Sequence, residues 1–163
     1  MTLVAANVDE AARRQIEALN TRYIRAIDDD QLEAWPDLFV EKCVYKIVTR
    51  ENFDRGFSLP LMECASRGML VDRVTGYRRV NVYEPQRYTH MLSGLVIERI
   101  DATRLSCKQN YLVVRTMVGG EMIIFSAGVY LDKLVLGADG AKFEERIVVQ
   151  ESRRVDTLLV IPL

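Results

Sequence analysis

The spacing of apolar residues changes once along this chain, and the change limits the folds open to it. From about residue 7 to 80 apolar side chains recur mainly every three or four positions, as on one helical face, with an early strand between. From about residue 89 to 163 long extended runs follow, with a hairpin signal at Gly119 and Gly120. Helices before strands predict a single α+β domain over residues 1–163. We expect its N-terminal helices to pack in the concave face of a strongly curved, mostly antiparallel sheet.

The first predicted helix begins at a capping box formed by Asn7 and Glu10 and ends at the acidic run 28–30. One face of it carries Ala12, Ile16, Leu19, Tyr23 and Ile27. Ser66 is expected to cap a later helix that runs to about residue 80. The other predictions are a short helix at 31–39 or two linked turns in its place, strands at 43–49 and 57–62, a polar loop between them, and strands at 90–100, 103–118, 121–136, 141–149 and 158–161.

The run from 121 to 131 is apolar on both faces when strict alternation is assumed. Ile123, Phe125 and Val129 fall on one side and Ile124 and Tyr130 on the other. An antiparallel strand with one face in water should alternate between apolar and polar residues. We therefore expect the helices to cover one face and another subunit to cover the other, the alternative being that this chain covers both. Gly94 and Gly128 are placed where bends or bulges would help the sheet to curve.

Composition excludes several classes of partner. A formal net charge of −1 and a pI near 5.9 leave no excess of positive charge for nucleic acid. No run of about 20 apolar residues is present, so we expect no membrane span and a cytoplasmic protein. Cys43, Cys64 and Cys107 are widely spaced and lack a CxxC pair, which predicts buried, reduced thiols.

The count of histidines limits the chemistry further. Because His90 is the only histidine, neither a two-histidine iron site nor a Rieske cluster can be built within this chain. Zinc hydrolase sites with several imidazoles are excluded for the same reason. One simpler chemistry remains open, an acid-base pocket in which His90 or Asp28 is the base and Tyr23 or Tyr45 donates a hydrogen bond. Packing and helix-end roles for the same residues are the competing interpretation.

The order of several short motifs resembles the small, or beta, subunit of the aromatic-ring-hydroxylating dioxygenases over nearly the whole chain. The residues that carry the resemblance are Arg22-Tyr23, Ile27-Asp28, Leu32-Glu33, Trp35, Leu38-Phe39, Tyr45, Arg50-Glu51-Asn52, Met69-Leu70, Asp72-Arg73-Val74, Tyr83-Glu84, Arg87, His90, Gly128, Tyr130, Asp132 and the stretch 156–163. The chain departs from the family pattern at Val129, where many relatives have Arg, and at Glu151, where Asp is often found.

The resemblance implies the cone fold shared with nuclear transport factor 2 and ketosteroid isomerase. It also implies a large (alpha) partner subunit that holds a Rieske [2Fe-2S] cluster and a mononuclear Fe(II), assembled as three large and three small subunits, with the small ones associating as a trimer. Such complexes use O2 and electrons from NADH to cis-dihydroxylate an aromatic compound. The sequence motif around Trp35 resembles that of family members that act on one-ring aromatic carboxylates. This chain would then be structural and non-catalytic, with no cofactor, metal site or catalytic residue of its own.

Two sets of residues are the site candidates. Tyr83, Arg87, Tyr88 and His90 stand at the entry to a long strand, and an Arg beside aromatic residues is typical of an anchored subunit interface. The second set, Tyr23, Asp28, Tyr45 and His90, belongs to the alternative function, a stand-alone cone-fold isomerase or dehydratase. The apolar stretch that leads to Leu163 predicts a chain end packed against the rest of the protein.

Overall fold

The computed structural model describes residues 10–57, 59–80, 82–155 and 159–163. Asn7 and the start of the predicted capping box lie outside these residues, as do residue 58 of the predicted strand at 57–62 and residue 158 of the predicted final strand. The elements are α1 (Glu10–Asp28), two 3-10 helices (Leu32–Ala34 and Pro36–Leu38), β1 (Phe39–Thr49), α2 (Arg50–Asp54), β2 (Met62–Cys64), α3 (Arg67–Arg79), β3 (Gln86–Arg99), β4 (Arg104–Met117), β5 (Met122–Gly137) and β6 (Gly140–Gln150).

Six strands form one open sheet in the order β2-β1-β6-β5-β4-β3. All neighbouring pairs are antiparallel except β1 and β6, which run parallel. This arrangement confirms the predicted α+β cone with a mostly antiparallel sheet. The parallel pair joins the early strand to the last one, so the N-terminal half of the chain completes the sheet made by the C-terminal half.

Helix α1 fills the concave side of the sheet. Its apolar stripe is confirmed, because Ile16, Leu19 and Tyr23 are fully buried and Ile27 is nearly so. The helix ends at Asp28 and Asp30 adopts a positive φ of 57°, a conformation that Asp tolerates better than most residues. The helix therefore stops where the acidic run predicts, and its last turn lies beside β3.

The region after α1 takes the second of its two predicted forms. Two linked 3-10 turns replace a continuous helix, because Pro36 lacks the amide that such a helix would use, and Phe39 already belongs to β1. Two other features of this region differ from the prediction. Where a polar loop was predicted, α2 forms, and the Thr49 side chain caps it by accepting from the Asn52 amide. The short edge strand lies at Met62–Cys64, later than predicted.

The later elements follow the prediction closely. Ser66 caps α3 by accepting a hydrogen bond from the Met69 amide at 3.2 Å. The four long strands lie within a few residues of their expected positions. In the described part of the chain end, 159–161 form no strand, but Val160, Ile161 and Leu163 are buried, which confirms the packed end.

Register shifts interrupt four of the described strand pairs, and those between β3 and β4 and between β4 and β5 bear on the predictions. Gly94 has a positive φ of 63° where the register between β3 and β4 shifts, which confirms a bulge there. Gly128 is paired regularly with both neighbouring strands, so the register shows no bulge at that residue. A bulge lies instead at Phe125, which falls between the paired residues Ile124 and Ser126. The extra residue turns Phe125 toward the core, where its ring lies 5.2 Å from that of Tyr88, so Phe125 does not share the face of Val129.

Candidate functional site

The centre of the cone contains a buried ion pair. Arg146 on β6 donates from Nε and Nη2 to the two carboxylate oxygens of Asp132 on β5, at 2.8 Å each. Nη2 also donates to Asn20 Oδ1 on α1 at 2.7 Å, and Asn20 Nδ2 donates to Gln109 Oε1 at 2.8 Å. The network ties the helix to three strands. Burial disfavours the charge of Arg146, but the adjacent Asp132 outweighs it and the pKa of Arg146 is raised.

Aromatic rings enclose the Arg146 guanidinium. Its central carbon lies 4.1 Å from the ring centroid of Tyr23, 4.2 Å from that of Tyr130 and 4.0 Å from that of Phe143. All three rings are fully buried, so these cation–π contacts are shielded from water and strong. The sequence analysis did not predict this cluster of aromatic rings around Arg146. The available signal was a charged residue, Asp132, two positions from Tyr130 on what should be the inner face of a strand.

The two tyrosines of the predicted acid-base pocket come together, but their hydroxyls are engaged. Tyr23 Oη donates to the main-chain oxygen of Leu163 at 2.5 Å and Tyr45 Oη donates to the same oxygen at 3.0 Å. Tyr45 Oη also accepts from the Leu163 amide at 2.9 Å. Burial raises the pKa of both hydroxyls, so they stay protonated. The pair therefore binds the main chain of the protein itself.

Asp28 and His90 form a second polar pair, between the end of α1 and β3. Asp28 Oδ1 lies 2.6 Å from His90 Nδ1, and Asp28 Oδ2 accepts from the His90 amide at 2.8 Å. The His90 side chain is fully buried and that of Asp28 is 10% exposed. Chemically, a carboxylate that orients an imidazole can act as an acid-base pair. The same two bonds also attach the helix end to the sheet.

A cleft of about 540 Å³ opens beside this pair at the mouth of the cone. Tyr83, Arg87 and Tyr88 line it, and Tyr83 stacks on Tyr77 with ring centroids 4.7 Å apart. Arg87 is exposed, Tyr83 is half-buried, and Tyr88 and His90 are buried. Of the four residues predicted at an interface, two are therefore accessible and two lie beneath them.

The described ranges contain no group of three or more His, Cys, Asp or Glu side chains that could hold a metal ion. None of the helices in the described part of the chain is long and apolar enough to cross a membrane. The three cysteines are buried and free, and burial raises the pKa of the Cys43 thiol to about 11 and that of the Cys107 thiol to about 12. Burial raises the pKa of all three thiols, which lowers the fraction present as the nucleophilic thiolate.

Comparison with known proteins agrees with this architecture. A family model described as the SnoaL-like domain matches residues 9–147. The small subunit of anthranilate 1,2-dioxygenase from Burkholderia cepacia is 40% identical over 149 residues, which cover 91% of this chain and 92% of the relative. The beta 2 subunit of the terminal oxygenase component of terephthalate 1,2-dioxygenase from Comamonas sp. is 38% identical, with coverage of 91% and 97%.

Solved structures show the same relationship. A crystal structure from Novosphingobium aromaticivorans, assigned to the beta subunits of aromatic-ring-hydroxylating dioxygenases, superposes with a TM-score of 0.87 at 34% identity. The match covers 94% of this chain and 98% of that one. The chain carries a SnoaL-like domain and belongs to the family of small (beta) subunits of aromatic ring dioxygenases, components of oxidoreductase complexes.

Proposed function

We propose that this chain, folded as one domain, is the structural and non-catalytic small subunit of a ring-hydroxylating dioxygenase. The observation that carries the proposal is the filled interior of the cone. The hydroxyls of Tyr23 and Tyr45 are bound to Leu163, and the guanidinium of Arg146 is bound to Asp132. A substrate would have to break these bonds before it could reach any polar group there.

The chemistry then belongs to a large subunit that carries the Rieske [2Fe-2S] cluster and the mononuclear Fe(II). With His90 as its only histidine, this chain cannot supply two imidazoles to either site. The proposed complex inserts both atoms of O2 into an aromatic ring, with electrons derived from NADH. A one-ring aromatic carboxylate is the proposed substrate class, supported by relatives named for anthranilate and terephthalate. Free cysteines support a cytoplasmic site of action.

The proposed assembly contains three large and three small subunits, with the small subunits associated as a trimer. The outer side of the sheet supports the proposed trimer. Three apolar side chains there are largely exposed: Met91 (52%), Met122 (65%) and Ile124 (71%). Apolar side chains exposed together favour a protein partner. At the cone mouth, Arg87 and Tyr83 are the proposed contacts, and the buried Tyr88 and His90 support them from beneath.

A second candidate function, an acid-base isomerase or dehydratase, is favoured by one observation. Among the described residues, His90 Nε2 is a buried atom with no hydrogen-bond partner, while Asp28 orients the opposite nitrogen. The tyrosines that would complete such a pocket are bound to Leu163 instead. We therefore rank this candidate second.

Turnover by the assembled complex and by the chain alone separates the two functions. The chain is co-expressed with a Rieske large subunit in its parent form and as His90→Gln and Asp28→Asn, and each form is also purified alone. The structural function predicts unchanged turnover per assembled complex, with any loss confined to yield or melting temperature. A stand-alone acid-base function predicts isomerase or dehydratase turnover by the purified small subunit without a large subunit, lowered by about 100-fold or more in Asp28→Asn. Stoichiometric iron bound to the purified small subunit would also contradict the proposal.

A further inference from the structure

A short strand forms one outer edge of the sheet. β2 (Met62–Cys64) stands first in the strand order, and among the described residues only β1 pairs with it. The main-chain N–H and C=O groups on its other side therefore meet no further strand in the described part of the chain. Groups of this kind form hydrogen bonds with another extended chain, so an open edge is a template for strand addition.

A groove of about 310 Å³ lies beside this edge. One wall is the strand, through the consecutive residues Leu61 to Cys64, and the other is α3, through Met69, Asp72 and Arg73. Four residues of extended chain span roughly 13 Å, so a segment of three or four residues can lie along the strand wall. Modules such as PDZ domains bind extended peptides by adding a strand to an exposed edge.

Contacts between the two walls fix the shape of the groove. Met69 Sδ accepts from the Ala65 amide at 3.3 Å, and the Ser66 hydroxyl accepts from the Met69 amide at 3.2 Å. The side chains of Met62 and Cys64 are buried in the core. The groove is therefore preformed, and a segment that binds there does not have to reorganise the protein.

The side chains of the groove define the chemistry of its occupant. Leu61 and Met69 are each 43% exposed, so both walls present an apolar side chain. Asp72 also lines the groove and forms no ion pair with a described residue. The Arg73 guanidinium is engaged at the chain end, where Nη2 donates to the carbonyl oxygens of Leu159 and Val160. Apolar side chains would cover Leu61 and Met69, and a Lys or Arg would pair with Asp72.

Symmetry argues against a second copy of this chain as the occupant. Antiparallel pairing of β2 with the β2 of another copy needs a twofold axis. The proposed trimer has a threefold axis, which does not bring a surface into contact with itself. The other partner in the proposed complex is the large subunit.

We propose that the groove between β2 and α3 binds an extended segment of the large subunit, with apolar side chains and one basic residue, which adds a strand to the edge of the sheet. The inference rests on the proposed function, because it needs the complex of large and small subunits. It adds a contact surface that shares no residue with the cleft at the cone mouth.

Association with a co-expressed Rieske large subunit tests the groove. Leu61→Lys and Met69→Lys each place a charge among the proposed contacts. We expect each to weaken association about tenfold or more in subunit-exchange measurements, the scale of a residue that anchors an interface. Leu59→Lys and Val71→Lys are the matched controls, since both side chains are exposed and neither lines the groove. The two controls should assemble like the parent chain.

Hydrogen exchange of the parent chain detects the added strand itself. The amides of residues 61–64 that face away from β1 should exchange at least about tenfold more slowly in the complex than in the chain alone. Unchanged exchange there, or equal association of groove and control variants, would overturn the inference while the proposed function stands. Protection that appears in the chain alone and rises with its concentration would assign the groove to a second copy instead. A parent chain that forms no complex would remove the proposed function and this inference together.

Discussion

Arg146 and Asp132 form a two-point ion pair in the middle of the cone, with side chains 0% and 1% exposed. The pair links β5 to β6, and through Asn20 it also fixes α1 against the sheet. A charge pair in this position takes the space that a ligand would need. The pair therefore links two strands to the helix and fills part of the interior of the cone.

Breaking this pair should destabilise the chain strongly. Asp132→Asn leaves Arg146 charged and buried, and the expected loss is about 3–5 kcal/mol of unfolding free energy, measured by urea denaturation. The matched control is Lys133→Ala, which breaks the exposed pair with Glu145 and should cost about 0–1 kcal/mol. Similar losses for the two variants would show that the buried pair does not hold the cone together.

Gly128 should not tolerate a side chain. A Cβ at this residue would overlap the Val149 carbonyl oxygen and lie 3.2 Å from the Tyr111 ring, so the sheet would have to shift. We expect Gly128→Ala to cost about 1–3 kcal/mol or more. Gly76 has nothing within 4 Å of its Cβ position and lies inside α3. Gly76→Ala should therefore be neutral or stabilise by up to about 1 kcal/mol, and thermal melting of both variants gives the comparison.

The turn between β3 and β4 should respond to acid through Asp101. Amide bonds from Thr103 and Arg104, at 2.9 Å each, and the Arg104 guanidinium lower the pKa of Asp101 to about 2. A depressed carboxyl pKa gives stability that is complete above the unfolded pKa of about 3.9 and is lost as the pH falls through about 2. The stability difference between the parent chain and Asp101→Asn should therefore shrink over that window. A difference that stays constant from pH 7 to pH 2 would contradict the assignment.

Arg87 tests the proposed contact at the cone mouth. If Arg87 anchors the large subunit, Arg87→Ala should weaken association, measured by co-purification yield and subunit exchange, without a change in the melting temperature of this chain alone. Arg79→Ala is the control, because Arg79 is also an exposed arginine but does not line the cleft. A lower melting temperature with unchanged association would assign Arg87 to the fold instead.

Much of the fold could be predicted because short-range sequence patterns determine where its helices and strands begin and end. The three- and four-residue spacing in α1 and the Ser66 cap of α3 are short-range signals, and both appear in the structure. The bulge at Phe125 could not be predicted from alternation, because one extra residue reverses the face of every side chain beyond it. The parallel pairing of β1 with β6 joins residues about 100 positions apart, beyond the reach of any local pattern.

The candidate site was predicted only in part for a similar reason. Tyr23, Tyr45, Asp28 and His90 were identified as polar groups with possible chemistry, and the structure places them in two separate pairs. Arg146 was missed because its partner, Asp132, stands on a neighbouring strand. The occupation of the tyrosines by Leu163 depends on a contact across 140 residues for Tyr23. Such contacts decide whether a pocket is open, and they follow from the packing of the whole chain.

Native mass spectrometry is the most direct test of the proposal that this chain is a structural component of a larger oxygenase. The chain is co-expressed with a Rieske large subunit, and the intact complex and its dissociated subunits are weighed, with iron counted in each. The account predicts equal numbers of large and small subunits, three of each, with all iron in the large subunit. A large subunit that assembles and turns over fully without this chain would contradict it.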